Sequence, residues 1–298
     1  MRTSLTCRLS LPCIIRALGL LTLTLVLASC SVVRLGYGQL PELIYWWVDG
    51  YLDLDDGQSS LLRQDLEKIH EWHRRQELPP LANTLATLQT QAVSDVTPAQ
   101  LCGWVDALKP RIGAVLDQAE PGLATLATRL TPEQLAHLQH QLDKRQQQWR
   151  DEWLKGNDAE RQARRLERLI DRAEDFYGPL STEQQTLLRT GVANSPFDLA
   201  LAQAEMLRRQ QDVYQTLQTL ASGRLSPAQA RAEVHQWLTR VQTSPNPAYR
   251  TNMTRLTQAN CDSFAALHNS ASSNQRQRLV SRLKGFEDDA RALAPASR

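Results

Sequence analysis

A short capping pattern recurs along this chain and constrains its fold more strongly than any other feature of the sequence. In each copy a hydroxyl residue is followed three positions later by Gln, and in three of the four copies Pro directly follows the hydroxyl residue. The hydroxyl oxygen can accept from the third helical residue while the Gln reaches back to the cap, and Pro suits the first helical position. The four pairs are Thr97 and Gln100, Thr131 and Gln134, Ser181 and Gln184, and Ser226 and Gln229.

Three further segments follow the same logic with other residue types: Asp55 to Gln58, Asn157 to Glu160, and Ser272 to Gln275. Between these starts, apolar residues recur three, four and seven positions apart, which is the spacing of an amphipathic helix. The composition agrees, since 48 Leu stand against 13 Val and 6 Ile, a bias that favours helix over sheet. We therefore predict an all-α fold, an elongated or layered multi-helix domain of about eight to ten helices.

The first 29 residues have the pattern of a targeting segment. Arg2, Arg8 and Arg16 are their only charges, and the run 17–28 is apolar to weakly polar. A basic segment before a short apolar run is typical of a secretory signal, and this run is too short to span a bilayer comfortably. We expect residues 1–29 to be a signal peptide and residues 30–298 to be a periplasmic all-helical domain.

The segment Leu27-Ala28-Ser29-Cys30 ends this run. It resembles the lipobox of bacterial lipoproteins, and the resemblance implies that Cys30 becomes the first residue of the exported chain and carries acyl chains such as palmitate. Ser31 follows, where an Asp would signal retention in the inner membrane, so the resemblance implies the periplasmic face of the outer membrane. The alternative is an ordinary soluble secretory signal with an accidental Cys.

Removal of the signal changes both the charge and the cysteine content. The formal net charge moves from +2 to −1, because three Arg and no acid are lost, and a near-neutral exported domain gives no support to nucleic-acid binding. Cys7 and Cys13 also leave, so Cys102 and Cys261 remain besides Cys30. An even pair in an oxidising compartment usually forms a disulfide; the alternative is two free buried thiols.

Several segments of the exported chain resemble an uncharacterised family of proteobacterial lipoproteins, known only as a domain of unknown function. The segments are 34–37, 45–53, 260–262, 267–269 and 275–278. The resemblance implies an envelope location and helical content, and it implies no activity.

The chain also has a weaker similarity to the periplasmic LTxxQ-motif chaperones. Leu130-Thr131-Pro132-Glu133-Gln134 fits that motif, and Leu180-Ser181-Thr182-Glu183-Gln184 is a conservative variant of it. Those chaperones are small helical dimers that hold unfolding clients, so this similarity implies a binding function. Helix capping alone also explains both segments.

Candidate metal ligands are few and poorly spaced. His70 with His73, and His137 with His140, are three residues apart and could share a helix face. Both pairs lie in polar stretches, which favours exposed side chains without a ligand. The acidic turn 53–57 suggests calcium, but its Gly comes one position early for an EF-hand and its twelfth position is Gln64. We expect no metal, no cofactor and no catalytic residue.

Two residue clusters leave alternatives open. The aromatic residues Tyr45, Trp46, Trp47 and Tyr51 could rest on a lipid leaflet or fill the core, and their helical spacing favours the core. The arginine-rich segment 161–172 is interleaved with acids, which favours a solvated, ion-paired helix face over a basic partner-binding face.

These patterns together favour a binding protein. We expect an outer-membrane-anchored periplasmic lipoprotein acting as a non-catalytic, chaperone-like or envelope assembly factor. Its partners would be the membrane, through the lipid on Cys30, and a protein partner or client in the periplasm. The alternatives are a structural or partner-specific accessory lipoprotein with no holdase activity, and a hydrolase with an unrecognised site.

The lipobox resemblance makes a direct prediction. Cys30→Ala removes the thiol that would carry the lipid, so metabolic labelling with palmitate should find no label in this variant. Cys13→Ala is the matched control and should keep the label. A Cys30→Ala chain that remains labelled would contradict the assignment.

Overall fold

The computed structural model describes residues 33–295. Residues 1–32, which include the expected signal peptide and Cys30, lie outside the described part, as do residues 296–298. The chain divides into a short unit that ends at Leu40 and a second, compact unit from Pro41 onward. In the first unit, residues 33–38 are helical.

Eleven helices follow in the described chain, and the prediction of an all-α fold is confirmed. They are α1 (Leu40–Leu52), α2 (Asp56–Gln76), α3 (Leu78–Gln91), α4 (Pro98–Ala127), α5 (Pro132–Trp153), α6 (Asp158–Tyr177), α7 (Thr182–Ala193), α8 (Leu199–Ala221), α9 (Pro227–Gln242), α10 (Pro247–Asn269) and α11 (Ser273–Leu293). The described residues contain no strand. The helices outnumber the expected eight to ten partly because α3 follows Glu77, an N-cap residue whose side chain makes no capping hydrogen bond.

Each of the seven helix starts inferred from the sequence carries a capping box in the structure. The caps are Asp55, Thr97, Thr131, Asn157, Ser181, Ser226 and Ser272. Two orphan backbone donors are bonded at each start, one by the cap side chain and one by the residue three positions on.

Four of the capping glutamines also join helices to one another. Gln58 of α2 and Gln134 of α5 exchange two amide hydrogen bonds, with Nε2–Oε1 distances of 3.0 and 2.5 Å. Each Nε2 also donates to a backbone carbonyl just before the other helix, Gln58 to Arg129 and Gln134 to Asp53. Both side chains are buried.

Gln184 of α7 and Gln275 of α11 repeat this arrangement. Their two amide hydrogen bonds are both 2.9 Å long. Gln184 donates to the carbonyl of Ser270 and Gln275 to that of Pro179. In both pairs each accepting carbonyl lies two residues before the partner's cap, so the N-termini of two helices are joined reciprocally.

Most of the buried apolar side chains of the described chain belong to three clusters. The first is built by α1, α2, α5 and the end of α4, and the second by α4, α8 and α9. The third lies between α6, α7, α10 and α11, around the fully buried Leu188 and Leu267. Leu217 of α8 packs against both the first and the second cluster.

A cysteine pair connects a helix of the second cluster to a helix of the third. The sulfur atoms of Cys102 in α4 and Cys261 in α10 are 2.05 Å apart, and their Cα atoms are 5.7 Å apart. The two residues are separated by 159 positions, and such a long closed loop lowers the entropy of the unfolded chain, a contribution of up to about 5 kcal/mol.

The reciprocal pairs predict that a capping glutamine within such a pair contributes more to the free energy of unfolding than a capping glutamine outside one. Gln134→Glu keeps a side chain able to complete its own capping box, but it loses the Nε2 donor that serves Asp53 and Gln58. We expect a loss of about 2–3 kcal/mol in the free energy of unfolding, measured with urea.

Gln229→Glu is the matched control, because Gln229 is exposed and bonds only to Ser226 within its own box. This variant should change stability by less than about 0.5 kcal/mol. Equal effects of the two substitutions would refute a separate contribution from the inter-helix bonds.

Candidate binding surfaces

An open groove lies between α7 and α10. Its volume is about 790 Å³, which is within the range of binding pockets for small ligands and peptide segments. Leu187, Gly191, Ala259 and Ala266 are the lining residues without a polar side chain. The other lining residues are hydroxyl, amide and acidic: Thr182, Glu183, Thr186, Thr190, Asn194, Asp262 and Ser263.

Small side chains make this groove possible. Gly191 in α7 lies so close to α10 that an added Cβ would be 2.5 Å from the Ser263 hydroxyl. Leu187 stands one turn earlier and is 39% exposed, whereas its neighbour Leu188 is fully buried. Sequence reasoning missed this surface, although Ala259, Ser263 and Ala266 follow one another at helical spacing and could have indicated it.

The aromatic residues of α1 divide between core and solvent. Tyr45 is buried and its hydroxyl bonds to that of Ser59 at 3.1 Å, and Tyr51 packs against the first cluster. Trp46 and Trp47 are 63% and 66% exposed. The expectation that this stretch fills the core was therefore wrong for both tryptophans, because they face away from the side of α1 that packs.

The arginines of α6 only partly fulfil the expectation of an ion-paired face. Arg161 and Arg168 have acidic partners, Asp158 and Glu152. Arg165 instead donates to the Ser195 hydroxyl at 3.0 Å and lies over the Phe197 ring. Arg161 and Arg164 additionally donate to backbone carbonyls of residues 154–156, in the turn between α5 and α6. These arginines therefore hold α6 against α5.

The candidate metal ligands occupy separate, structural positions. Asp55, in the acidic turn, caps α2. His137 bonds to the Gly50 carbonyl at 3.2 Å. Among residues 33–295, no group of three His, Cys, Asp or Glu side chains is arranged to hold a metal ion. In the same range no helix is long and apolar enough to cross a membrane.

The most buried acid, Glu205 of α8, belongs to an ion-pair network. Its carboxylate accepts from Arg208, Arg209 and the Ser244 hydroxyl at 2.8–3.0 Å. Burial alone would raise the pKa of Glu205, but the hydrogen bonds from these three residues outweigh it and lower the pKa to about 2. Glu120 is held similarly, since hydrogen bonds from Arg231 and His235 lower the pKa of its carboxyl.

His268 of α10 is locked in one neutral form. Its Nε2 lies 2.9 Å from the Ser94 carbonyl and must carry the hydrogen, so Nδ1 accepts from the Tyr177 hydroxyl, also at 2.9 Å. Burial lowers the pKa of His268 and raises the pKa of Tyr177 to about 12. The hydrogen bond between Tyr177 and His268 stabilises the third cluster. It also keeps one proton on the Tyr177 hydroxyl and one on Nε2 of His268.

Comparison with known proteins identifies a family of unknown function. Residues 50–250 match the model of DUF6279, a family of unknown function. The chain belongs to this family. No curated protein and no solved structure matches it. The DUF6279 match covers the α7 wall of the groove and ends before Ala259, Ser263 and Ala266, which form the α10 wall.

The Glu205 network predicts a specific pH dependence. Because the folded-state pKa lies below the value of about 4.3 in the unfolded chain, the ionised carboxylate stabilises the fold above pH 4.3, and this contribution is lost as the pH falls towards 2. Glu205→Gln should lower the free energy of unfolding by about 2–3 kcal/mol at pH 7. The difference from the unsubstituted protein should shrink between about pH 5 and pH 2.

Urea unfolding at a series of pH values measures this difference. Glu71→Gln is the control, since Glu71 is exposed and pairs only with Arg75 of the same helix; exposed pairs of this kind contribute about 0.3–0.5 kcal/mol. A Glu205→Gln effect that is constant from pH 7 to pH 2 would contradict the assignment.

Proposed function

We propose that this DUF6279 protein is an outer-membrane-anchored periplasmic lipoprotein that acts as a non-catalytic, chaperone-like binding factor. It holds apolar segments of client proteins in the groove between α7 and α10. The groove is the single observation that carries the proposal, since a protein that holds clients must keep apolar surface accessible.

The lining of the groove indicates which segments it accepts. Leu187, Ala259 and Ala266 offer an apolar floor, and Gly191 adds no side chain beside it. Glu183 and Asp262 add negative charge to the lining, which favours segments in which basic residues flank apolar ones. Hydroxyl and amide groups such as Thr186, Thr190 and Asn194 can bond to an extended backbone.

The similarity to LTxxQ-motif chaperones supports the same interpretation. Leu180–Gln184 is the variant of that motif, and it begins α7, the helix that forms one wall of the groove. The motif glutamine positions this wall, because Gln184 is bonded to Gln275 and to the Ser270 carbonyl at the end of α10.

The sequence around Cys30 supports the location. The basic n-region, the apolar run and Leu27-Ala28-Ser29-Cys30 together favour lipid anchoring, and Ser31 favours the outer membrane. Anchoring would raise the local concentration of the groove near membrane-associated clients without any additional contact.

The environment of the buried acids favours a non-catalytic role. A general acid working near neutral pH needs a raised pKa, whereas arginines and other hydrogen-bond donors lower the pKa of both Glu205 and Glu120. Apart from the acids Glu183 and Asp262, all lining residues of the groove are neutral, so the lining places no basic side chain beside either acid.

Suppression of aggregation tests the proposal. Residues 31–298 should suppress the light scattering of an unfolding client near equimolar ratio. Leu187→Glu places a charge on the apolar floor, so several-fold more of this variant should be needed. Leu207→Glu is the matched control, since Leu207 is similarly exposed (36%) but lies on α8, outside the groove.

The outcomes separate two functions. If the unsubstituted domain fails to suppress aggregation, the chaperone proposal is wrong and a partner-specific accessory lipoprotein becomes the function to test, by cross-linking in the intact envelope. If Leu187→Glu and Leu207→Glu are equally impaired, the groove is not the client site.

A further inference from the structure

The outer face of α1 is a second apolar surface, separate from the groove. From residue 41 onward, the exposed positions of this helix are Leu43, Ile44, Trp46, Trp47 and Gly50. At about 100° per residue, these five positions cover roughly 160° of the helix circumference. On the opposite side, Tyr45 and Leu52 are buried in the first cluster. Helix α1 is therefore apolar on the face that packs and on the face that does not.

The charged residues of α1 lie beside this face and are already engaged. Glu42 forms an ion pair with Arg63 at 3.0 Å, and Asp49 accepts from the backbone of Leu54. The helix contains no Lys or Arg. A partner of this face must therefore be recognised by apolar contact, because the face offers no charge to complement.

Both exposed indole rings are supported from behind by a tyrosine. The Trp46 ring meets Tyr45 edge to face, with centroids 5.5 Å apart, and the Trp47 ring lies against Tyr51 at 5.1 Å. The two indoles are thus held on the surface while about two thirds of each remains exposed. Ring atoms ordered in this way lose little conformational entropy when a partner covers them.

We propose that this face of α1 lies in the interface of the lipid bilayer and orients the protein on the membrane. The inference rests on the proposed anchor at Cys30, which precedes Leu43 by 13 residues, a tether of at most about 45 Å when fully extended. Tryptophan is the residue most characteristic of the membrane–water interface, together with tyrosine.

The size of the face favours lipid over a protein partner. A stable protein interface uses about 20–30 residues from each side and surrounds its apolar centre with a polar rim. Here the exposed face consists of five apolar residues on one helix. A bilayer accepts such a face without requiring complementary polar groups, and insertion by apolar contact alone is independent of lipid charge.

Quenching by brominated phospholipids tests the placement. The full chain, purified with its own anchor, is reconstituted into phosphatidylcholine vesicles with and without bromine on the acyl chains. Two of the seven tryptophans belong to the α1 face, so bromine should quench roughly a quarter of the emission if both indoles reach the interface. Trp46→Phe/Trp47→Phe should abolish this quenching.

Trp149→Phe/Trp153→Phe is the matched control, because these two tryptophans are also close neighbours on one helix, about one turn apart, but belong to α5. It should retain the quenching. Vesicles containing anionic phosphatidylglycerol, and an increase of NaCl from 50 to 500 mM, should leave the quenching unchanged to within about a fifth, since no basic residue of α1 contributes.

The experiment distinguishes failure of the proposed lipid anchor at Cys30 from failure of the proposed placement of the α1 face. Palmitate labelling and flotation with the vesicles report the anchor. A labelled chain that floats but is not quenched overturns the proposed placement of α1 and leaves the anchor intact. If the chain is unlabelled, the anchor fails, and the face is then judged by adding the same vesicles to the unanchored chain at millimolar lipid. Absence of quenching there also overturns the placement, and quenching lost only in Trp46→Phe/Trp47→Phe supports it.

Discussion

Two reciprocal pairs of capping glutamines are the interaction on which the arrangement of the helices depends. In each carboxamide, Oε1 accepts the backbone N–H of its own cap and an N–H of the partner glutamine, as in Gln134 and Gln184. The same residue's Nε2 donates to the partner's Oε1 and to a carbonyl before the partner's helix. Only an amide supplies both a donor and an acceptor in this geometry. The preference for Gln over Glu at these positions follows from that requirement, since a capping box alone accepts either.

These pairs also explain how distant segments come together. Gln58 and Gln134 are 76 residues apart, and Gln184 and Gln275 are 91 apart. The first pair closes the cluster beneath α1, and the second brings α11 to the start of α7, where the groove begins. The cysteine pair then connects α4 to α10, so the second and third clusters are joined covalently. The groove wall on α7 is therefore fixed from two sides, by Gln275 and by packing of Leu188 in the third cluster.

Much of this fold could be predicted from the sequence, because its signals are local. Capping residues act within one helical turn, so the starts at Thr131 and Ser181 can be identified without knowing any neighbour. Helix α3 could not, since its start at Glu77 has no side-chain cap and Pro79-Pro80 resembles a helix stop. The pairing of Gln58 with Gln134 was also beyond prediction, because the sequence does not state which capping boxes meet in space.

The binding surfaces were harder to predict than the helices for a physical reason. Helical spacing identifies which residues share a face, but it does not say whether another helix covers that face. Trp46 and Trp47 follow the same periodicity as the buried Tyr45, and only the absence of a described neighbour over them leaves them exposed. In the groove, the residue that marks the close approach of the two helices is Gly191, because Ser263 leaves no space for a side chain there. The sequence could not reveal this, since a single glycine in a helix can have several structural causes.

The two apolar surfaces differ in chemistry, and this difference separates their partners. The groove mixes an apolar floor with Glu183, Asp262 and several hydroxyl groups, so it can satisfy the backbone and charges of a bound polypeptide. The only polar side-chain groups of the α1 face are the two indole N–H donors of Trp46 and Trp47, so it would leave most of a peptide backbone without hydrogen bonds, a cost that a lipid acyl chain does not incur. Because the α1 face is close to Cys30 in the sequence while the groove is formed from residues after 180, the membrane contact and the client contact that we propose would use different helices.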